Sequence, residues 1–421
     1  MLTLFTKYVD NSFSRVKHYG IVRNEENISR HAIRNILTRD FALVYLTYFI
    51  FAIANQSLVP TMPIFLSRLG SSEREIGVLI GVFAISSLVF RLVAGGVVSK
   101  YSEKSVMMAG ALLSALTFLA LMLFRPFWPI LVVRVFQGIA FAFLNTAAFT
   151  YSLNIIPPVH RARGIAYYMI APNVATAIAA PLGIFLINEY SFDVLFLFCA
   201  GLSLCAFFFP WKVKRREQSM TNNETLVRDN HLFEWKIAIP AFMGFLQTFV
   251  FGGLSAFFPL YAIQCGVANP GHFFSATALA IIACRVLGGR VLDTYNKEKI
   301  ILTFTFLSVI AMVIVALSKT LPMFVLAGFL QGIGVAFVNP AMMTYSLEYA
   351  GSSSGTAVGT FQALMDLGIA MGPLTIGLVL PLTGYRVMFI CLAFVYVISL
   401  CYFQFYVRKK RNLAQIVYKI L

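Results

Sequence analysis

Residues 134–153 read RVFQGIAFAFLNTAAFTYSL, and residues 328–347 read GFLQGIGVAFVNPAMMTYSL. At a constant shift of 194 positions, Gln137-Gly138 falls on Gln331-Gly332, Asn145 on Asn339, and Tyr151-Ser152-Leu153 on Tyr345-Ser346-Leu347. The same shift lays RLVAGGVVS (91–99) over RVLGGRVLD (285–293). Apolar composition alone produces scattered coincidences. Polar and glycine positions held in register across two separate segments mark an internal duplication.

The repeated unit is apolar. The 421 residues are 59% hydrophobic and only 12% charged, and mean hydropathy is +0.81. Soluble domains carry about 25% charged residues, so too few charges remain here to cover a globular surface. A soluble enzyme is excluded on that ground. Apolar runs long enough to cross about 30 Å of hydrocarbon are expected at 41–66, 76–98, 105–124, 127–154, 164–187 and 192–211. Six more follow at 237–263, 272–292, 300–317, 321–346, 356–380 and 385–407. Runs of this length point to helices, since a barrel shows short alternating strands. The expected fold is an all-α polytopic membrane protein with 12 transmembrane helices in two pseudo-symmetric six-helix bundles. Its parts are a basic N-terminal segment (1–40), a first bundle (41–211), a polar linker (212–236), a second bundle (237–407) and a basic tail (408–421).

The net charge of +16 is explained by orientation rather than by nucleic acid. With the N-terminus placed in the cytoplasm, 24 of the 33 Lys and Arg fall on cytoplasmic segments. Only Arg68, Arg74, Arg125, Lys319 and Arg386 fall on outer loops. The positive-inside rule then puts both termini in the cytoplasm. Within 1–40, Ile28, Ile33, Ile36 and Leu37 oppose Arg30 and Arg34, as in an interfacial helix or a basic tether on anionic lipid. The six cysteines are scattered without metal-ligand spacing, the five histidines sit in tails and loops, and no cleavable signal peptide is visible. No phosphate-binding glycine loop occurs. No cofactor or metal is expected.

The segment Gly95-Gly96-Val97-Val98-Ser99-Lys100-Tyr101-Ser102-Glu103-Lys104 resembles the loop that follows the second span in the major facilitator superfamily. Ser99 stands in place of the usual aspartate, Ser102 in place of a glycine and Glu103 in place of a base. The second half keeps the acid as Asp293 in Gly289-Arg290-Val291-Leu292-Asp293, but Thr294 and Asn296 depart from the pattern. Arg134-Val135-Phe136-Gln137-Gly138 is similar to a fourth-span signature of that family. Gly368, Gly372-Pro373 and Gly377, and less fully Ala180-Pro181-Leu182-Gly183, resemble a glycine-proline packing motif of its exporters. The resemblance covers 41–407. It implies the major facilitator fold, alternating access, a latch at Lys100 and Asp293, and kinship with proton-coupled small-molecule exporters. With compact loops, it also implies a bacterial inner membrane. A monomer suffices, because both halves of the pathway are present.

Charges inside spans are costly and mark function. Arg91, Arg134, Arg285 and Asp366 are the candidates for coupling or gating. The family architecture sets spans two and eleven side by side, so an Arg91–Asp366 contact is expected. Its role is a gate, a fixed lock or a protonatable coupling site. Arg134 is expected to serve coupling or substrate contact, or else to be hydrogen-bonded within its own bundle. Candidates for the substrate pathway are Asn55, Gln56, Asn145, Asn173, Gln247, Asn339 and Gln362, with packing the competing role. Most of the 41 phenylalanines are expected to face lipid or core, with Phe51, Phe249 and Phe361 as candidates for an apolar pocket.

The function expected is secondary active transport of a small organic molecule, anionic or zwitterionic, by proton-coupled efflux. The proton is the expected coupling ion, with membrane lipids as surroundings. An importer or facilitated carrier of a nutrient, amino acid or organic anion is the alternative. A transport-inactive receptor or scaffold on the same fold is the alternative of another class.

Overall fold

The computed structural model describes residues 38–157, 160–213, 234–350 and 355–409, and every described element is helical. The expected interfacial helix near 28–37 and most of the linker and tail lie outside the described residues. Helix α1 runs Arg39–Arg68, α2 Glu73–Lys100, α3 Glu103–Leu123, α4 Phe127–Ile155, α5 Arg161–Tyr168, α6 Ile170–Glu189 and α7 Phe192–Phe208. In the second half α8 runs Trp235–Gln264, α9 Gly271–Leu287, α10 Gly289–Thr294, α11 Lys297–Leu317, α12 Leu321–Ala350 and α13 Gly355–Tyr402. Among the described residues, ten helical segments are long and apolar enough to cross a membrane, and Gly271–Arg285 is a shorter apolar helix. The chain is an all-α polytopic membrane protein.

Helix starts follow side-chain chemistry. Thr38, Ser102 and Ser191 each accept a hydrogen bond from a first-turn amide, and Ser72 with Glu75 forms a reciprocal capping box. Helix ends repeat across the halves. After α1, Gly70 (φ 82°) lets the Ser71 amide reach Leu66 O. After α8, Gly266 (φ 84°) lets the Val267 amide reach Ala262 O. Both are the six-to-one bond of a Schellman end, for which glycine supplies the left-handed residue.

Two span expectations need correction. The run 164–187 is two helices meeting at Met169, because Pro172 has no amide to give Tyr168 O. The run 272–292 is likewise divided at Gly288, where paired glycines weaken the helix. The runs 356–380 and 385–407 are two helices, as expected: within Gly355–Tyr402 the non-helical Gly384 (φ 72°, ψ 166°) separates them.

Successive helices reverse direction, except that α6 continues α5 and α10 continues α9. One end of the molecule carries turns 69–72, 124–126, 190–191, 265–270 and 318–320, here the Gly70 end. The other carries 101–102, 156–160 and 295–296, the Ser102 end. Within the first half α1 packs on α6 and α7, α2 on α4, and α3 on α4 and α7. Within the second, α8 packs on α13, α9 on α12, and α11 on α12 and α13. The duplication survives in atomic contacts. A Cβ at Gly138 would lie 2.5 Å from Phe83 O, and a Cβ at the equivalent Gly332 would strike the equivalent Thr277 O.

The halves meet through α2 with α13, α6 with α9, and α1 with α8. At the Gly70 end the contact is close and built twice. A Cβ at Gly77 would lie 2.5 Å from Pro373 O, and one at Gly271 would lie 2.6 Å from Pro181 Cα. Asn269 Nδ2 donates to Pro181 O at 3.2 Å, Asn188 Nδ2 to Ala268 O at 3.0 Å, and Ser275 Oγ to Ala177 O at 2.6 Å. Toward the Ser102 end, nothing lies within 4 Å of the Cβ positions of Gly95, Gly96 or Gly359. Leu92 is 81% exposed. The α2–α13 seam is therefore closed at the Gly70 end and splayed at the Ser102 end.

Candidate functional site

Between the halves lies a cavity of about 430 Å³. The lining stripes follow helical spacing. On α2 they are Ile80, Phe83, Ala84, Ser87, Leu88 and Arg91, and on α9 Phe274, Thr277, Ala278 and Ile281. Seven residues expected from the sequence converge on it: Asn55, Gln56, Arg91, Arg134, Asn145, Asn173 and Asp366.

Arg134 is 5% exposed. Its Nε donates to Leu79 O at 2.9 Å and its NH1 to Gln137 Oε1 at 2.8 Å. The guanidinium carbon stands 4.7 Å from the Phe83 ring centroid, a cation–π distance. Among the described residues no carboxylate pairs with it. Two hydrogen bonds and a ring face hold the fork in place, but they leave a full positive charge in a poorly solvated cavity. Such a charge gains from an anion brought to it.

Arg91 and Asp366 form an ion pair that ties α2 to α13 across the two halves. The Arg91 side chain is 37% exposed and that of Asp366 20%. Opposite them, Gln56 Nε2 donates to Thr176 Oγ1 at 2.5 Å, and Thr176 Oγ1 donates to Pro172 O at 2.8 Å, linking α1 to α6. Asn55 and Asn173 turn back on their own chain, donating to Phe51 O and Met169 O.

Other expected residues stand elsewhere. Gln247 is buried within the second half, donating to Thr305 Oγ1 at 3.2 Å. Asn339 is half-buried on α12, and no α12 residue lines the cavity, although its repeat partner Asn145 does. Gln362 is exposed on α13, and Lys100 is exposed at the end of α2 near the Tyr101 ring. Arg285 lies one turn beyond Ile281 on α9, where its NH1 donates to Met169 O of the other half at 3.5 Å. Asp293 is in α10, and its side chain lies outside the described residues. The aromatic wall is Phe83, Phe141, Phe251 and Phe274. Phe51 and Phe361 are instead buried in helix packing, and Phe249 packs partly buried against the core. Phe83, Gln137 and Thr176 also line the cavity, although none is among the site residues expected from the sequence. Spacing from Arg91 (two turns back) and from Arg134 (three residues on) marks the first two.

Comparison with known proteins agrees with this architecture. The profile of the Major Facilitator Superfamily matches residues 44–284 and 267–416. The staphylopine export protein of Staphylococcus aureus is 25% identical over 378 residues, 86% of this chain and 95% of that protein. The quinolone resistance protein NorA of the same species is 22% identical over 354 residues, 81% of this chain and 90% of its own length. Among solved structures, the nucleoside transporter NupG superposes with a TM-score of 0.72 at 15% identity, over 87% of this chain and 98% of that chain. A bacterial homologue of the human lysosomal transporter Spinster, in an inward-facing and unoccupied conformation, gives 0.72 at 13% identity, over 86% and 95%. The chain belongs to the Major Facilitator Superfamily, and it is a secondary transporter of a small molecule.

Proposed function

We propose that this protein exports a small organic molecule bearing a carboxylate or a comparable anion, by alternating access coupled to protons. The observation that carries the reading is Arg134, buried in the central cavity with its fork held in place and no carboxylate partner among the described residues. The Phe83, Phe141, Phe251 and Phe274 rings would receive the apolar part of the solute. Export is favoured by the relatives named for staphylopine export and quinolone resistance.

In this reading the Ser102 end faces the cytoplasm, since most Lys and Arg cluster on its loops. The membrane is then a bacterial inner membrane with both termini inside. The helical course of α13, bent at Gly384, supplies two spans, and α9 with α10 supplies one. That yields 12 spans in two six-helix bundles, 41–211 and 237–407, related by the repeat. Asp366 is the coupling site. Protonation would release Arg91 and loosen the α2–α13 seam, so that proton entry and seam opening are one event. Lys100 and Asp293 would latch the Ser102 end when it closes, and Arg285 would steady the α6–α9 seam through Met169 O. A facilitated carrier is the second reading. In its favour, α1 presents Asn55 and Gln56 to the cavity and no acid.

The test is a binding screen on purified protein by thermal stabilisation, with carboxylate-bearing metabolites, their methyl esters and lipophilic cations as probes. Stabilisation by acids but not by their esters, lost in Arg134→Gln, is expected. Equal stabilisation by acid and ester would sink the anion reading.

A further inference from the structure

A second depression, of about 810 Å³, lies at the Gly70 end, outside the central cavity. Its charged lining comes from both halves: Glu73 at the start of α2, Lys319 in the turn between α11 and α12, and Arg386 just after the bend in α13. Among the described residues none of the three forms an ion pair. The framework fixes the backbone that carries these two exposed cations. The Tyr261 hydroxyl lies 3.2 Å from Ala316 O and 3.1 Å from Ser318 O, which fixes the turn carrying Lys319 to α8. The Tyr261 ring stacks on Tyr385 at 5.7 Å, and the positive φ of Gly384 sets the direction of the chain into Arg386.

Two features identify the occupant. The charges are two cations and one carboxylate, which match a phosphate joined to an amine better than a simple anion. Leu380 and Pro381 add apolar lining, and two leucines next to lining residues in the chain are bare: Leu317 is 64% exposed and Leu382 80%. Both lie within a few residues of the cations, at the level where a membrane-spanning helix turns among headgroups. A soluble phosphoamine would leave those leucines uncovered, whereas a lipid would lay its acyl chains on them.

We propose that this depression binds a phospholipid with a primary-amine headgroup, its phosphate between Lys319 and Arg386 and its ammonium on Glu73. The arginine fork and the lysine suit a phosphodiester, and a primary ammonium donates hydrogen bonds that a trimethylammonium lacks. The site also spans the seam. The Glu73 carbonyl lies against Gly377, so that a Cβ there would approach it to 2.7 Å. A headgroup joining Glu73 to Arg386 therefore holds the Gly70 end closed and favours the state seen here.

The test is hydrogen–deuterium exchange on the full chain in nanodiscs of phosphatidylcholine alone, or mixed with phosphatidylethanolamine or phosphatidylglycerol at equal mole fraction. Phosphatidylethanolamine is expected to slow exchange in segments 73–81 and 373–380 by about fivefold relative to the other two. Glu73→Gln should abolish its advantage over phosphatidylcholine, and Lys319→Gln with Arg386→Gln should abolish it as well. Unchanged exchange in segment 103–123 certifies that the variants are folded. Should a variant fail that check, the three-lipid comparison on the unaltered chain decides. Equal protection by phosphatidylglycerol, or none beyond phosphatidylcholine, would overturn the proposal. Equal protection by millimolar free phosphoethanolamine in phosphatidylcholine discs would overturn its lipid source. These readouts need no transported solute, so they stand or fall apart from the anion site at Arg134.

Discussion

Arg134 holds its position through directional bonds that lysine cannot copy. Nε and NH1 address Leu79 O and Gln137 Oε1 at once, while the plane of the fork meets Phe83. Arg134→Lys keeps the charge but loses at least one hydrogen bond of the charged kind, worth about 1.5–3 kcal/mol. Solute affinity is expected to fall by about 10- to 100-fold, read as a rise in the dissociation constant by titration calorimetry. Arg134 was legible in the sequence because a cation inside an apolar run has few benign explanations. Phe83 was not, because one phenylalanine among 41 carries no mark until the arginine that faces it is placed. Asn145 and Asn339 show the limit of the repeat at this scale. They share a register, yet only Asn145 reaches the cavity.

Glycines decide how closely helices approach, and three of them separate fold from motion. Gly138 seats α4 against Phe83 O within one half. Gly138→Ala overpacks that contact at a cost of about 1–3 kcal/mol, and a lower melting temperature in detergent is expected, with no preference between open states. Gly77 seats α2 against Pro373 O across the halves. Gly77→Ala should instead relieve its clash by parting the Gly70 end. Faster hydrogen exchange at 73–81 and 373–380 is the expected sign, with 103–123 unchanged. Gly95 has open space around it, so Gly95→Ala should leave both readouts unaltered in this state. Apolar runs made most helix starts legible to within a few residues, while the caps Thr38, Ser72 and Ser102 set the actual starts two or three residues earlier than hydropathy does. The breaks at Met169 and Gly288 were less so, because hydropathy averages over a turn and does not register one missing or weakened hydrogen bond.

At the scale of the molecule, the duplication was the clearest signal, and it reappears as paired contacts: Gly138 with Gly332, and Gly77 on Pro373 with Gly271 on Pro181. Which end stands open was not legible, since one sequence must encode both states with nearly equal energy. The glycine-proline seams close the Gly70 end here, and the Arg91–Asp366 pair is what remains joined between α2 and α13 where they begin to part. Alternating access coupled to protons requires that pair to break once per cycle. A fixed lock requires that it never does.

The direct measurement is solute flux in proteoliposomes containing a pH-sensitive dye, comparing the unaltered chain with Asp366→Asn. A carboxylate-bearing solute is expected to move against its gradient with proton counterflow. Asp366→Asn should abolish the proton movement while leaving solute exchange at equal pH. Proton counterflow of the same size in Asp366→Asn, or solute movement in the unaltered chain with no proton movement at all, would contradict proton coupling through Asp366.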